Sequence, residues 1–468
     1  MSDERKTPDL RENKMRTMPV GKLLFTMALP LAISMMVQAI YNVVDSVYVS
    51  RVSESAVTAL SLAFPIQNLM IGFSTGIGVG MNALLSKSLG EGNRERANRA
   101  AGNGIVLALV AVALFMVFGF VGARPYYAMQ SDVAETVEGG AAYIGICSVW
   151  CAGIFLEIMG ERLLQASGRT IYTLFTQGTG AVLNIILDPI FIFGVEWLGI
   201  APMGIAGAAV ATVIGQWVAA ILAIIFNLTK NPDVQFGLKY FCPDGYIMKK
   251  ILVVGIPSII MMAIGSVMTF GMNQIFLRFK AYGETAAGVF GIYFKLQSFV
   301  LMPLLGINNA SISIIAYNYG ARQPKRITGT LKCALGAAMG IMVAGTLLFQ
   351  LIPDVLLGFF NPSDTFLALG RSALRIVSLH FPMAAIGIAL SASFQAMGNG
   401  IYSTIISLMR QLVVLLPAAF LLSLTGDIHA VWWSFPIAEV VSMLTSLYFY
   451  AKIYRQRIKP MFENEASR

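Results

Sequence analysis

Four carboxylates stand where an apolar chain should not hold them. Asp45 lies in "AIYNVVDSVYVSRV" (39–52), flanked by Val43, Val44, Val47 and Val49, with no cation before Arg51. "NIILDPIFIFG" carries Asn184 and Asp188, and "GAAVATVIGQW" carries Thr212. "LEIMGERLLQ" places Glu157 and Glu161 one helical turn apart on one face. A carboxylate buried without a partner is costly, and inside a membrane such a residue is a functional candidate by default. Two chemistries suit the set. Carboxyls that share a low-dielectric site can take up a proton on one side and release it on the other. Alternatively, hard oxygens from Asp45, Asn184, Asp188 and Thr212 can cage a small cation such as Na⁺.

The elements that hold these residues are transmembrane helices. The chain has 468 residues, 57% hydrophobic and only 12% charged, about half the charge of a soluble domain. Its mean hydropathy is +0.72. The apolar runs are long and lack the ten-residue alternation of barrel strands. At about 20 residues per crossing, twelve spans are expected, near 22–48, 56–86, 97–121, 138–160, 170–194, 203–228, 248–278, 285–316, 330–352, 368–391, 400–424 and 430–454. At 1.5 Å per residue, Asp188 falls about 27 Å along the fifth span. That is in its outer half, and Asp45 is at similar depth in the first.

Connections alternate between basic ("SKSLGEGNRERANR", "GERLLQASGRT", "NLTKNPDVQFGLKYFCPDGYIMKK", "ARQPKR", "KIYRQRIKP") and base-poor ("QSDVAETVE", "GVEWLGIAP", "NPSDTF", "LTGDIH"). The positive-inside rule then sets both termini in the cytoplasm of a multi-pass plasma-membrane protein. Arg278, Lys280, Arg371 and Arg375 run against that rule. The net charge of +9 belongs to these loops, and no nucleic-acid motif accompanies it.

The two halves repeat. "LP" at 29–30 matches "IP" at 256–257, and Arg51 matches Arg278. After a three-residue insertion "SKSLGEGNRER" aligns with "IAYNYGARQPKR", pairing Gly90 with Gly320, and "QASGRTIY" (165–172) aligns with "QAMGNGIY" (395–402). The expected architecture is all-α, with twelve transmembrane helices in two pseudo-twofold-related lobes of six. The lobes are 22–228 and 248–454, joined by a linker 229–247, with tails 1–21 and 455–468. Parallel repeats of this kind favour transport between lobes. The second lobe holds Met272 and Ala418 where the first has Asp45 and Asp188; its charges are Lys295, Arg410 and Glu439.

Pro30 and Pro189 each remove a backbone donor. Pro30 is either a hinge of the first span or a passive kink. Flexible methionines, among them Met35, Met261 and Met272, together with Gln38, Lys295 and Arg410, are candidates for a substrate path. Cys147 and Cys151 read as apolar core, without the partners a metal site needs. No P-loop, dinucleotide fingerprint or nucleophile–base set occurs, so neither an enzyme nor a bound cofactor is expected. "GIGVG" (76–80) reads as close helix packing.

In combination, "YNVVDSVYVSRV", the Gly90–Asn93 turn, "QASG", "NIILDPIFIFG" and "GIAGAAVAT" resemble the multidrug and toxic compound extrusion (MATE) family. The resemblance spans residues 20 to 455, closest to its DinF-like branch and MepA-type subgroup. It implies a two-lobed, monomeric antiporter that exports amphipathic, often cationic compounds in exchange for H⁺ or Na⁺. The implied first-lobe site is Tyr41, Asp45, Asn184, Asp188 and Thr212, with the hinge at Pro30. Glu161 stands where some archaeal members have asparagine, a third carboxylate that adds proton capacity or binds a cationic substrate. The rival reading is a flippase of lipid-linked precursors or polysaccharides, which needs a basic cavity.

Overall fold

The computed structural model describes residues 13–195, 199–279, 282–360 and 363–466. The expectations for residues 1–12 of the tail and for Lys280 lie outside them. Among the described residues, ten helices are long and apolar enough to cross a membrane, and two bent pairs, each counted as one span, bring the number to twelve. The first three spans are Val20–Ser50, Glu54–Gly90 and Arg94–Val117, the third extended by a π turn, Phe118–Gly122, and Ala123–Ala128. The fourth is bent by 44° between Ala134–Val149 and Ala152–Ala166. Ile171–Phe193, Ile205–Lys230, Gly245–Phe276, Gly283–Gly320 and Pro324–Leu351 are the fifth to ninth. The tenth is bent by 47° between Asp364–Ser378 and Phe381–Ala396. The eleventh joins Gly400–Leu408 to Leu415–Ser423 through a π segment, Met409–Val414, and Ser434–Ile453 is the body of the twelfth.

Phe25, Phe64, Leu114, Phe120, Val121, Phe270 and Leu421 expose most of their apolar surface. Apolar exposure on that scale marks a membrane-embedded surface, and helices satisfy their own backbone groups there.

By contacts the chain divides into two units. One contains Ile33–Ile259, the other Met18–Ala32 and Ile260–Arg468. This division is not that of the two sequence lobes, because it cuts the first and seventh helices part-way along. In the first unit the second span packs on the third and fourth, and the sixth on the fourth and fifth. Within the second, the eighth packs on the ninth and tenth, and the twelfth on the tenth and eleventh.

The same turns recur at an interval of 230 residues. Asn93 N–H donates to Ser88 C=O at 3.0 Å, and Gln323 N–H to Asn318 C=O at 3.0 Å. Arg169 N–H donates to Leu164 C=O at 2.7 Å, and Asn399 N–H to Phe394 C=O at 2.7 Å. Gly92 (φ 78°) answers to Arg322 (φ 53°), the one non-glycine at positive φ among the described residues. Both fourth-position spans break, at Trp150–Cys151 and at Leu379–His380.

The glycines of "GIGVG" serve a close approach. A Cβ on Gly76 would sit 2.7 Å from the Gly255 carbonyl, and one on Gly80 would overlap the Ile251 carbonyl. The second span therefore lies backbone to backbone against the start of the seventh, as small residues permit between membrane helices.

Candidate functional site

The first unit holds a cavity of about 480 Å³ lined by Tyr41, Asp45, Gln67, Asn68, Tyr143, Thr212 and Gln216 among others. Four helices contribute. Asp45 comes from the last turns of the first span and is 9% exposed. Asp188 and Asn184, one turn apart on the fifth span, are buried behind it. Asn184 Nδ2 donates to Asp188 Oδ1 at 3.3 Å and to Thr212 Oγ1 of the sixth span at 3.2 Å. Asn184 therefore ties the hidden carboxylate to a hydroxyl on the cavity wall. The two aspartates are close enough to interact electrostatically, and Tyr41 lies within electrostatic reach of both and of Glu157. Asp45 Oδ1, Asn184 Oδ1 and Asp188 Oδ2 are buried without a hydrogen-bond partner among the described residues.

That set of oxygens can do two things. Unpartnered carboxylate oxygens can each accept a proton. Together with an amide and a hydroxyl oxygen they offer hard ligands to a small cation. Proline at 189 follows Asp188 inside an unbroken helix, so the site is bounded by a backbone position without a donor.

Glu161 does not join this cluster. It accepts from Thr176 Oγ1 at 2.7 Å and from Gln177 Nε2 at 2.9 Å. Those partners lie 11 to 12 residues before Asp188, about 17 Å along the helix. Its neighbour Arg162 is buried and donates to Gln165 Oε1 at 2.9 Å. Glu157, half-buried one turn before Glu161, stands between the two groups, since Tyr41 feels its charge. Carboxylates that read as one set therefore occupy two levels of the first unit.

The path candidates separate further. Met35 and Gln38 are half-buried on the first span, Met261 is half-buried on the seventh, and Lys295 is exposed on the eighth; none of these lines the cavity. Met272 is fully buried in the apolar core of the second unit with Met268, Phe276 and Leu415. Arg410 pairs with Glu439 at 3.7 Å. Two of the base exceptions are accounted for: Arg371 forms a two-pronged pair with Asp354 at 2.8 and 2.9 Å, and Arg278 lies over the Phe420 ring at 4.7 Å. Cys147 and Cys151 are buried free thiols.

Gln67, Asn68, Tyr143 and Gln216 were missed. Gln67 Nε2 donates to Tyr143 Oη at 2.9 Å across the cavity. The adjacent amides of "FPIQNLMIG" are a legible signal, being two polar residues inside an apolar span. A tyrosine in "AAYIGIC" carries none.

Helices long and apolar enough to span a membrane, set around a polar cavity, define a multi-pass membrane protein with room for a small molecule. Residues 30–190 and 257–421 match the MatE family, once in each half, and the chain belongs to it. Multidrug export protein MepA of Staphylococcus haemolyticus (strain JCSC1435) is 24% identical over 430 residues, 92% of this chain and 93% of that protein. A MOP superfamily transporter from Pyrococcus furiosus, whose binding pocket is described as reversed in polarity, superposes with a TM-score of 0.87 at 25% identity. It covers 96% of this chain and 98% of its own. A MATE protein crystallised with MaL6 gives a TM-score of 0.88 at 25% identity, over 96% of this chain and 99% of its own.

Proposed function

We propose that this chain is a secondary-active multidrug exporter. It exchanges amphipathic, often cationic compounds for H⁺ or Na⁺ by alternating access, with Asp45 and Asp188 as the coupling switch. The observation that carries the reading is the cavity of the first unit. It is within the size range of small-molecule sites, about 300–1,000 Å³, and Asp45 lines it, with Asp188 linked to its wall by Asn184 and Thr212.

The exchange follows from charge. Vacant carboxylates make the cavity anionic and attract a cation. A proton or Na⁺ taken at Asp45 and Asp188 cancels that charge, so a bound cationic compound is released. The ion must favour one of the two access states, or it shifts nothing. Pro30 supports a hinge. It sits three residues before the first helix passes from the second contact unit to the first at Ile33, and the ring leaves a helical carbonyl without its donor. The close approach of Ala32 to Gly306, where a Cβ would meet Ala32 N at 2.6 Å, packs this stretch against the eighth span. Glu157 and Glu161 form a second acidic level within the first unit.

Both termini are assigned to the cytoplasm, since the tails, the connections at 167–170, 231–244 and 321–323, and the helix ends that flank 91–93 (Lys87, Arg94, Arg96 and Arg99) carry basic residues. The protomer is assigned as the working unit. A flippase of lipid-linked precursors or polysaccharides is less well supported: it calls for unpaired bases in a cavity, and Arg410 is engaged by Glu439, which leaves Lys295.

The test is efflux of a fluorescent cationic dye from cells that express the wild type, Asp45→Asn or Asp188→Asn at equal membrane levels, with H⁺ and Na⁺ gradients imposed separately. The expected result is efflux driven by one gradient and lost in both variants. Efflux that survives Asp45→Asn removes the switch from this site.

A further inference from the structure

A further buried carboxylate lies in the second unit. Glu439 of the twelfth span is 3% exposed. Its nearest cation is Arg410, whose Nη1 is 3.7 Å from Oε1, too far for a hydrogen bond. Glu439 Oε1, Ser442 Oγ and Tyr293 Oη are all buried without a hydrogen-bond partner among the described residues. Leaving such groups unsatisfied in an apolar interior is costly.

These oxygens surround a notch. Gly387 of the tenth span faces them, and the position its Cβ would take lies 3.7 Å from each of Glu439 Oε1, Ser442 Oγ and Ser446 Oγ. Ser446 gives its hydrogen to the Ser442 carbonyl at 2.8 Å, so its lone pairs remain free for the notch. The charged and titratable groups that face Glu439 are Arg410 from the eleventh span, Tyr293 from the eighth and, beyond Arg410, His380 from the tenth. His380 Nδ1 lies 2.6 Å from the Val377 carbonyl. A carbonyl only accepts, so that nitrogen carries hydrogen.

We propose that Glu439, Ser442 and Ser446 form a second binding site, for a small hard monovalent cation of the Na⁺ class, and that Arg410 is the tethered cation that occupies its charge when the site is empty. All the notch atoms are oxygens, which selects a hard cation over a transition metal. One carboxylate balances one positive charge, which selects a monovalent ion. Arg410 meanwhile keeps Glu439 from standing alone in low dielectric. It also has the means to withdraw: its side chain is 28% exposed, whereas that of Glu439 is 4%, and it lies in the π segment Met409–Val414. Such segments are rare overall and are common at functional sites.

The experiment measures the thermal midpoint of the purified full-length protein at fixed pH as NaCl replaces choline chloride at constant ionic strength. It is done in an Asp45→Asn/Asp188→Asn background, so failure of the first-unit switch is kept apart from failure of this site. The expected result is a saturable rise in the midpoint with Na⁺. Glu439→Gln abolishes it, and Gly387→Ala, which fills the notch without altering charge, weakens it. Arg410→Gln, which removes the competing cation, lowers the Na⁺ concentration for half-effect by about tenfold, the equivalent of roughly 1.4 kcal/mol. If Glu439→Gln does not fold, Gly387→Ala and Arg410→Gln decide the matter alone. A midpoint indifferent to Na⁺ overturns the proposal. So does a response that survives Gly387→Ala unchanged, or an affinity that Arg410→Gln leaves unchanged or reduces.

Discussion

Asn184 stands one helical turn before Asp188 and donates to its Oδ1 at 3.3 Å, while the same nitrogen reaches Thr212 at 3.2 Å. Each bond uses one of the two amide hydrogens and both are long, and the second oxygen of Asp188 has no hydrogen-bond partner among the described residues. The carboxylate is held in place without being satisfied, which suits a group that exchanges its ligand.

The first prediction concerns that amide. Asn184→Leu keeps the helix but removes the donor and the amide oxygen. Hydrogen bonds to charged groups contribute about 1.5–3 kcal/mol, so coupling-ion affinity falls about tenfold or more. The concentration of Na⁺ or H⁺ for half-maximal dye efflux measures it. An unchanged midpoint would detach Asn184 from the site.

Pro30→Ala restores the donor that the hinge lacks. The protein is expected to fold with its thermal midpoint little changed, since the Val20–Ser50 helix is continuous already. Dye efflux drops severalfold while dye binding is kept. Loss of binding together with efflux would instead make Pro30 a packing residue.

Gly80→Leu tests the helix contact. The side chain would drive into the Ile251 carbonyl, which is backbone and cannot rotate away. Overpacking costs about 1–3 kcal/mol or more. Yield of monodisperse protein in detergent should collapse, whereas Gly336→Leu, at a position where a Cβ meets nothing within 4 Å, should be tolerated.

Cys242 is an exposed free thiol in the 231–244 connection assigned to the inner face, Cys333 is exposed within the ninth span, and Cys147 and Cys151 are buried. A membrane-impermeant maleimide is expected to leave Cys242 unlabelled in intact cells and to label it after permeabilisation. Labelling of intact cells at Cys242 would reverse the topology.

Much of this was readable from the sequence. All twelve spans were legible because each is a long apolar run, and the observed helices overrun those limits by a few residues at most ends. The breaks at Trp150–Cys151 and Leu379–His380 were not, since hydropathy stays high through both. Asp45, Asp188, Asn184 and Thr212 stood out as polar residues in apolar surroundings, and the structure brings them together at one level. Glu161 stood out in the same way, but it lies five residues from the turn at Ala166–Gly168, whereas Asp188 lies five residues from the opposite end of its own helix. Residue type reveals which groups are costly to bury, and only depth along each helix tells which can meet. Met272 illustrates a second blind spot: a helix in lipid is apolar on every face, so the pattern does not say which side turns to the core.

The central claim is that ion and substrate exchange at Asp45 and Asp188. The most direct test reconstitutes purified protein in liposomes with a cationic dye inside. It follows entry of H⁺ with a trapped pH reporter, and of Na⁺ with a radiotracer, as the dye leaves. One of the two ions should enter in step with dye exit in the wild type, and that linked flux should vanish in Asp45→Asn and in Asp188→Asn. Dye exit without flux of either ion, or linked flux that persists in both variants, would contradict the account.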